Sequence, residues 1–453
     1  MTALGLRHDE SVTPLVVDFV GNSAYRPHAT PYIVDNPYRR PLHRDRLAAV
    51  DWRSPLTEDG FVSDRSLLAN RLLMNVYESD AMFLPVDGLR GKERDFAAFY
   101  DPAARVLADR IRPTAERFAL GFLDESVQVN GHWDEAETLA HLEATIDEAT
   151  NADFPVQDAI ERAADPRRAA EMLMVQMALD GLTEATAMSQ NLGGAYGAEQ
   201  SELFKIFIDE FGYGVFAAKH STLFTDLCAS VGMQTRAHHY WFFYLPSSMA
   251  VNNYFYRVTR DRTGFFRYIG AMALLEATFA PWFARLTTSM RTIFGDSVDT
   301  RYCDEHAHID QHHGRMAVHD LLLPLARKHG PTAARGLIRG VEEIRLLSSL
   351  ADADLLAQLA WTPTARSARS ASDVDPGGAR PEIRELGPTV PFETEVADAD
   401  TSVDVSSGRV DLHWTGTGEP LTLAAGEGVG VPKGRLYGLS ADADAVVVVS
   451  RRR

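Results

Sequence analysis

The sequence predicts a mainly α-helical protein that ends in a small all-β domain. From about Leu67 to about Trp361, apolar residues recur at i, i+3, i+4 and i+7, as they do on one face of a helix. Residues 362–381 combine Ser, Ala, Arg, Pro and Gly without apolar periodicity, which is a linker composition. After them, RVDLHW, PLTLAAG, EGVGVP and AVVVVS have the texture of short strands between turns. We therefore expect a helical bundle up to residue 361 and a β-barrel or β-sandwich over 382–453.

Two stretches of the N-terminal part depart from this regular pattern. Residues 1–55 are rich in Pro, Arg and aromatic residues, and their apolar residues have no regular spacing. We expect this segment to wrap over a surface rather than to form a core. The run AARVLADRIRPTAERFALGFL has helical spacing, but Pro113 lacks a backbone donor, so we expect the helix to be interrupted there.

Composition and charge exclude several classes of partner. Of the 453 residues, 45% are apolar and 24% charged, which is typical of a folded globular protein. The formal charge of -18 disfavours nucleic acid and anionic membrane surfaces, and it is compatible with a small cationic substrate. The chain has two cysteines, and its first residues show no basic segment followed by an apolar one. We expect a cytoplasmic protein that contacts neither membrane nor nucleic acid.

The strongest local signal is the run DEHAHIDQHHGRMAVHD. His306, Asp310 and His313 stand at i, i+4 and i+7, so on a helix their side chains project from one face and could bind a metal. Alternatively, the run is a solvated polar helix that happens to be rich in histidine. The other histidines of the run are weaker candidates by geometry: His308, His312 and His319.

Carboxylates in apolar helical stretches supply the further ligands that this interpretation needs. They are Glu184, Glu210 and Glu276, and His220 follows Glu210 in KIFIDEFGYGVFAAKHSTLF. A carboxylate on an apolar face costs several kcal/mol unless it is paired or bound to a metal, although a single one could meet an arginine. Several carboxylates and three histidines on separate helices instead match the ligands that two iron ions need.

Glycines 212 and 214 separate Glu210 from His220. They could bend the chain so that both side chains point to one centre, or they could mark an ordinary helix break. The ferritin signature, a Glu-x-x-His pair on each of two helices, does not occur. The spacing therefore favours a different diiron scaffold.

The ordered set formed by Glu184, DEFGYGV and KHSTLF, Glu276 and EHAHIDQHHGRMA resembles the haem-oxygenase-like diiron oxidases. DNPYRR, GLRGKERDFAAFYDPA, RIRPTAERFALGFLD, NNYFY and FFRYIGA extend the likeness to members that hydroxylate the guanidine nitrogens of an N-methylated arginine. It implies a helical dimerisation region over 1–125, a haem-oxygenase-like diiron domain over 126–361, a cupin-like domain after the linker, and a homodimer. The resemblance also implies seven iron ligands: Glu184, Glu210, His220, Glu276, His306, Asp310 and His313.

The cupin-like region departs from the pattern of those relatives. Their cupin binds one iron through three histidines and rearranges the hydroxylated product into an N-nitroso compound. Here Glu395, Ala397 and Tyr437 stand at the three positions, and the tail keeps only His413. We expect the tail to be free of metal and the chain to lack the nitrosation step.

The resemblance thus implies a dioxygen-dependent diiron N-oxygenase that acts on a small cationic amino acid of the arginine type in natural-product biosynthesis. Its cofactors would be two ferrous ions. Two electrons per turnover would come from an external donor, since neither NLGGAYG nor GEGVGVPKG has the strand-to-helix setting of a dinucleotide loop. Two alternatives stay open: a diiron oxidase that attacks carbon, desaturating or fragmenting an amino or fatty acid, and a metal-binding scaffold. Four residues of the helical region match the relatives, but packing and capping explain them better than substrate contact: Tyr240, Asn252, Asn253 and Tyr254.

Overall fold

A computed structural model describes residues 11–368 and 380–452, and it confirms a mainly α-helical protein with a C-terminal β region. Across these ranges, no helix combines the length and the apolar character that a membrane crossing requires. The helices are α1 (Thr13–Val20), α2 (Arg44–Ala48), α3 (Asp64–Glu78), α4 (Glu93–Phe99), α5 (Pro102–Leu120), α6 (Leu123–Ser126), α7 (Glu135–Thr150), α8 (Pro155–Arg162), α9 (Pro166–Gly181), α10 (Thr186–Ser189), α11 (Ala198–Glu210), α12 (His220–Ser230), α13 (Pro246–Arg260), α14 (Phe265–Phe294), α15 (Arg301–Arg315), α16 (Leu323–His329) and α17 (Pro331–Leu359).

The C-terminal strands form two antiparallel sheets around a separate apolar core, as in a small cupin-like domain. One sheet has five strands and the other has four. The four runs that predicted strands are confirmed. Most of the predicted linker, residues 369–379, lies outside the described part of the chain. The strands are β1 (Arg366–Ser367), β2 (Glu382–Leu386), β3 (Thr394–Val396), β4 (Thr401–Ser407), β5 (Arg409–His413), β6 (Leu421–Ala424), β7 (Glu427–Val431), β8 (Leu436–Ser440) and β9 (Ala445–Arg451). Their order is β1-β7-β4-β9-β2 in the first sheet and β3-β8-β5-β6 in the second.

The expectation for the N-terminal segment is wrong, because this segment contributes to the main core. Phe19, Tyr25, Tyr38 and Trp52 are all buried in the same apolar cluster as the central helices. The segment contains only short helices, so its anchors are large aromatic side chains at irregular spacing rather than a periodic stripe. Apolar periodicity cannot detect this kind of core.

The interruption expected at Pro113 is also wrong, since α5 runs through it without a break. The proline itself is exposed, whereas Ile111 and Phe118 are fully buried on the inner face of the helix. Water can therefore satisfy the carbonyl group that loses its partner, and packing on both sides of the proline keeps the helix continuous.

Helices α14 and α15 pack closely where both carry predicted ligands. A Cβ atom on Gly314 would lie 2.7 Å from the Cα atom of Ala277, so only glycine permits this approach. Because Gly314 follows His313 and Ala277 follows Glu276, the contact brings those two ligands together. A π-helical stretch, Met316–Leu322, continues α15, as often occurs next to functional sites.

The β domain is joined to the helices by buried polar contacts. The Arg71 guanidinium donates to the Phe242 carbonyl (2.8 Å) and to the Thr394 hydroxyl (2.6 Å). The Gln358 amide donates to the carbonyls of Trp414 (3.1 Å) and Leu436 (3.0 Å). These contacts hold the tail against the helical bundle.

Candidate metal centre

The seven predicted ligands converge inside the bundle from five helices or their ends. Glu184 follows α9, Glu210 ends α11 and His220 begins α12, while α14 carries Glu276. Helix α15 contributes His306, Asp310 and His313 from its buried face, as their spacing predicts, and leaves His308 and His312 exposed.

The side chains form two clusters that overlap in one residue. In the first, ligand atoms of four buried residues lie within 4.8 Å of one another: Glu184, Glu210, His220 and His306. In the second, ligand atoms of Glu210, Glu276 and His313 lie within the same distance. Each cluster offers both carboxylate oxygen and imidazole nitrogen.

Glu210 belongs to both clusters and presents a different oxygen atom to each. Its Oε2 atom lies 2.7 Å from Nδ1 of His220, whereas its Oε1 atom lies 3.6 Å from Nδ1 of His313. A carboxylate in this position can bridge two cations.

Asp310 borders the second cluster but does not join either one in the described ranges. Its Oδ1 atom is 3.8 Å from Nδ1 of His313. The structure thus brings six of the seven predicted residues into two ligand clusters and places the seventh beside them. The role of each as an iron ligand stays a prediction.

Orphaned polar atoms indicate that the centre is suited to cations. Two buried carboxylate oxygens of these residues find no hydrogen-bond partner among residues 11–368 and 380–452: Glu184 Oε2 and Asp310 Oδ2. Such atoms cost about 1–3 kcal/mol each unless something binds them. Imidazole nitrogen and carboxylate oxygen are ligands that suit iron. Neither cysteine favours the thiolate form that binds metals, because both are buried and burial raises the pKa of each thiol.

The electrostatics of the metal-free centre are unfavourable for several ligands. Burial, followed by the charges of Glu276 and Glu210, raises the pKa of Asp310 to about 9. Burial also raises the pKa of Glu184 well above its usual range, and it lowers the pKa of His306 to about 4. Burial disfavours the charged form of His313, but contact with Glu276 and the charge of Glu210 outweigh it and raise this pKa to about 10. In the metal-free centre, bound protons therefore supply the positive charge that metal cations would otherwise supply.

Two segments next to the ligands adopt left-handed backbone conformations. Glu184 has φ 41° and Ala185 φ 52°, which is costly for residues with a side chain. Tyr213 has φ 53° between Gly212 and Gly214, which also have positive φ. This turn lies between α11 and α12 and folds His220 back onto Glu210, so the bend that the glycines predict is confirmed.

The sequence did not predict the hydrogen-bond partners of the candidate histidine ligands. Asp209 accepts a hydrogen bond from Nε2 of His313 (3.0 Å), which leaves Nδ1 to face the second cluster. The Tyr302 carbonyl accepts one from Nδ1 of His306 (2.9 Å), which leaves Nε2 free for a metal. Such partners fix the tautomer and orientation of metal-binding imidazoles. The only sequence signal for Asp209 is its position next to Glu210.

We predict that Asp209→Asn weakens iron binding by about 10–100-fold, because the imidazole of His313 loses its anionic partner. Anaerobic titration of ferrous iron against a coloured chelator measures the affinity. Glu202→Gln is the matched control, since Glu202 lies on the same helix but pairs with Lys205 at the surface (2.7 Å). Equal affinities for the two variants would refute this role of Asp209.

Three of the four residues set aside as packing groups make contacts of that kind. The Asn253 amide donates to the carbonyl and side-chain oxygens of Asn70 (both 3.0 Å), and the Tyr254 hydroxyl donates to Glu343 (2.9 Å). Tyr240 accepts a hydrogen bond from the Gln234 backbone (2.9 Å).

In the β domain, two of the residues at the positions where the resemblance implies histidines bind each other. Glu395 lies opposite Tyr437 across β3 and β8 and accepts a hydrogen bond from its hydroxyl. Arg384 donates to both oxygens of Glu395 (3.0 and 3.1 Å), so a guanidinium supplies the positive charge there. His413 bonds to the Ser440 hydroxyl (2.9 Å). The metal-free state of the tail stays a prediction that this network favours.

Comparison with known proteins agrees with this architecture. Residues 171–348 match a family model described as an iron-containing redox enzyme, and this span includes all seven predicted ligands. The chain is also 40% identical over 440 residues to the nitrosourea synthase of Streptomyces achromogenes subsp. streptozoticus, which covers 95% of this chain and 93% of that protein. The chain therefore belongs to the haem-oxygenase-like family of iron-containing redox enzymes that includes nitrosourea synthase.

Proposed function

We propose that the chain is a dioxygen-dependent diiron N-oxygenase that hydroxylates a guanidine or amine nitrogen of an arginine-type substrate. The observation that carries this proposal is the position of Glu210, whose two oxygens face two separate clusters of nitrogen and oxygen ligands. Two adjacent cations that share a carboxylate are the arrangement that this chemistry requires.

The residues of the chain would prepare the centre rather than carry out the oxidation. When bound, the two irons would activate dioxygen by transferring electrons to it. Glu210 would hold them at a fixed separation, while Asp209 and the Tyr302 carbonyl orient two of the imidazoles. One oxygen atom enters the N–OH product and the other leaves as water, which consumes two protons and two electrons from an external donor.

A nitrogen atom is the proposed target because of the similarity to nitrosourea synthase, whose name states a product that contains an oxidised nitrogen. The net charge of -18 also favours a cationic substrate. We propose that nitrosation does not follow, since Glu395, Tyr437 and Arg384 pair with one another where the resemblance implies the iron ligands of a cupin.

We also propose that the chain forms a homodimer through its N-terminal region. Five large apolar side chains of this region are exposed in the described part of the chain: Val34, Met82, Leu84, Val86 and Val106. Asp35 accepts a hydrogen bond from the Val86 backbone (3.1 Å), so Val34 and Val86 lie close together. Exposed apolar patches of this kind commonly become protein interfaces.

The function is tested by loading the full chain with ferrous iron under nitrogen and then adding air, a chemical reductant and one amine at a time. We expect arginine, N-methylarginine or a related amine to gain one or two oxygen atoms by mass spectrometry. Glu184→Ala and His313→Ala should abolish the gain, because each loses a ligand of a different cluster. Loss of hydrogen or of a carbon fragment would instead establish the carbon-attacking alternative, and absence of substrate-dependent oxygen uptake would contradict an oxygenase.

A further inference from the structure

Phe283 lies at the metal centre without offering a ligand atom. It is 4% exposed and belongs to α14, seven residues after Glu276. Residues seven positions apart share one face of a helix, so α14 presents both side chains to α15. The Phe283 ring stacks on the imidazole of His306, with 4.4 Å between the ring centroids and 25° between the ring planes. One helix thus supplies a carboxylate to the second cluster and an aromatic surface to the first.

Other rings hold Phe283 itself in place. Tyr302 and Phe279 both meet it edge-on, with centroid distances of 5.6 Å and interplanar angles of 83° and 87°. The Tyr302 ring also lies 4.4 Å from the His306 ring, at an angle of 58°. Edge-to-face contacts between aromatic rings are favourable, and Phe283 is almost fully buried. Phe283 is therefore a fixed surface against which the imidazole rests.

One hydrogen bond does not define the orientation of the His306 imidazole completely. Nδ1 donates to the Tyr302 carbonyl (2.9 Å), which selects the ring edge that faces the first cluster. The terminal torsion of a histidine side chain is broad, so the ring plane can still tilt about that bond. A tilt would open the contact with Phe283. The hydrogen bond and the stack therefore fix different aspects of the same imidazole.

We propose that Phe283 is a positioning residue that fixes the plane of the His306 imidazole and so directs its Nε2 atom into the first cluster. The stack is present before a metal binds, so the side chain loses less freedom on binding. Without the ring, the imidazole would sample tilted orientations, and the contact between metal and nitrogen would be weaker. This inference rests on the proposed function for the identity of the metal, whereas the stack belongs to the chain itself.

Anaerobic binding of ferrous iron by Phe283→Leu tests the proposal, because leucine keeps an apolar side chain but removes the flat ring. We expect the ion of the first cluster to bind about 10-fold more weakly and the ion of the second cluster to change by less than about twofold. Mössbauer spectra should show a broadened doublet for the first cluster alone. Glu276→Ala supplies the reference spectrum of that cluster, because all four of its residues remain.

Two further variants separate the stack from ordinary packing. Phe122→Leu is the matched control, since Phe122 is also 4% exposed but packs on Phe61 at a centroid distance of 5.5 Å. It should bind both ions as the wild-type chain does. Phe283→Tyr keeps the ring and should restore the iron affinity of the first cluster to within roughly threefold of the wild-type value.

A selective change at the first cluster in Phe283→Leu, with recovery in Phe283→Tyr, supports the positioning role. Equal weakening of both ions, or an equal effect of Phe122→Leu, would show that Phe283 only packs the core. Unchanged binding and spectra would also overturn the inference. If the wild-type chain binds both ions and Phe283→Leu behaves as expected, yet no amine is oxidised, the proposed function fails and this inference stands.

Discussion

Glu210→Ala should reduce the iron content of the anaerobically loaded chain from two ions to nearly none. Glu210 is the one residue that both ligand clusters contain, so its loss removes a carboxylate from each. Glu276→Ala should retain about one ion, because the first cluster keeps all its residues. Iron analysis after desalting measures both contents.

Glu199→Gln is the matched control for this experiment. Glu199 lies on the same helix as Glu210 and is equally buried, at 7% against 6% exposed, but it pairs with Lys328 (3.1 Å). It should retain both ions. If Glu210→Ala keeps two ions, or loses no more than Glu276→Ala does, Glu210 does not bridge the clusters.

Iron binding should release at least two protons per chain near neutral pH, one each from His313 and Asp310, and should tighten as the pH rises. In the metal-free chain, the pKa of His313 is raised from 6.5 to about 10 and that of Asp310 from 3.8 to about 9, so both hold protons that a metal must displace. The displacement of these two protons alone should increase the affinity by up to about 100-fold per pH unit below pH 9. Calorimetry in buffers of different ionisation enthalpy counts the protons.

Unlike the iron affinity, the stability of the metal-free chain should decrease as the pH rises. Both folded-state pKa values are raised, so the folded chain binds more protons than the unfolded chain from about pH 4 to about pH 10. Its melting temperature should therefore fall as the pH rises through this window. Asp310→Asn should weaken this dependence and release about one proton fewer on iron binding. An unchanged proton count in this variant would contradict the assignment.

Much of the site could be predicted because its signals are local. The spacing of His306, Asp310 and His313 describes one helical face, and the structure buries that face. Glu276 stands out because a carboxylate in an apolar helix needs a partner. The turn between Glu210 and His220 follows from its two glycines.

Other features depend on contacts between distant segments, and no local pattern reports them. The shared position of Glu210 arises only when α11, α12 and α15 are packed together. The left-handed backbone at Glu184 occurs at a residue other than glycine, so the sequence does not predict it. Asp209 differs from an ordinary surface carboxylate only in its hydrogen bond with His313. Likewise, Pro113 fits within α5 because the packing around it outweighs one lost hydrogen bond.

Mössbauer spectroscopy of the wild-type chain, loaded anaerobically with ferrous iron, tests the central claim most directly. We expect two ferrous ions per chain in two distinct environments, since one cluster offers two histidines and the other offers one. A fully loaded and active chain with a single iron environment and one ion would contradict the two-metal centre.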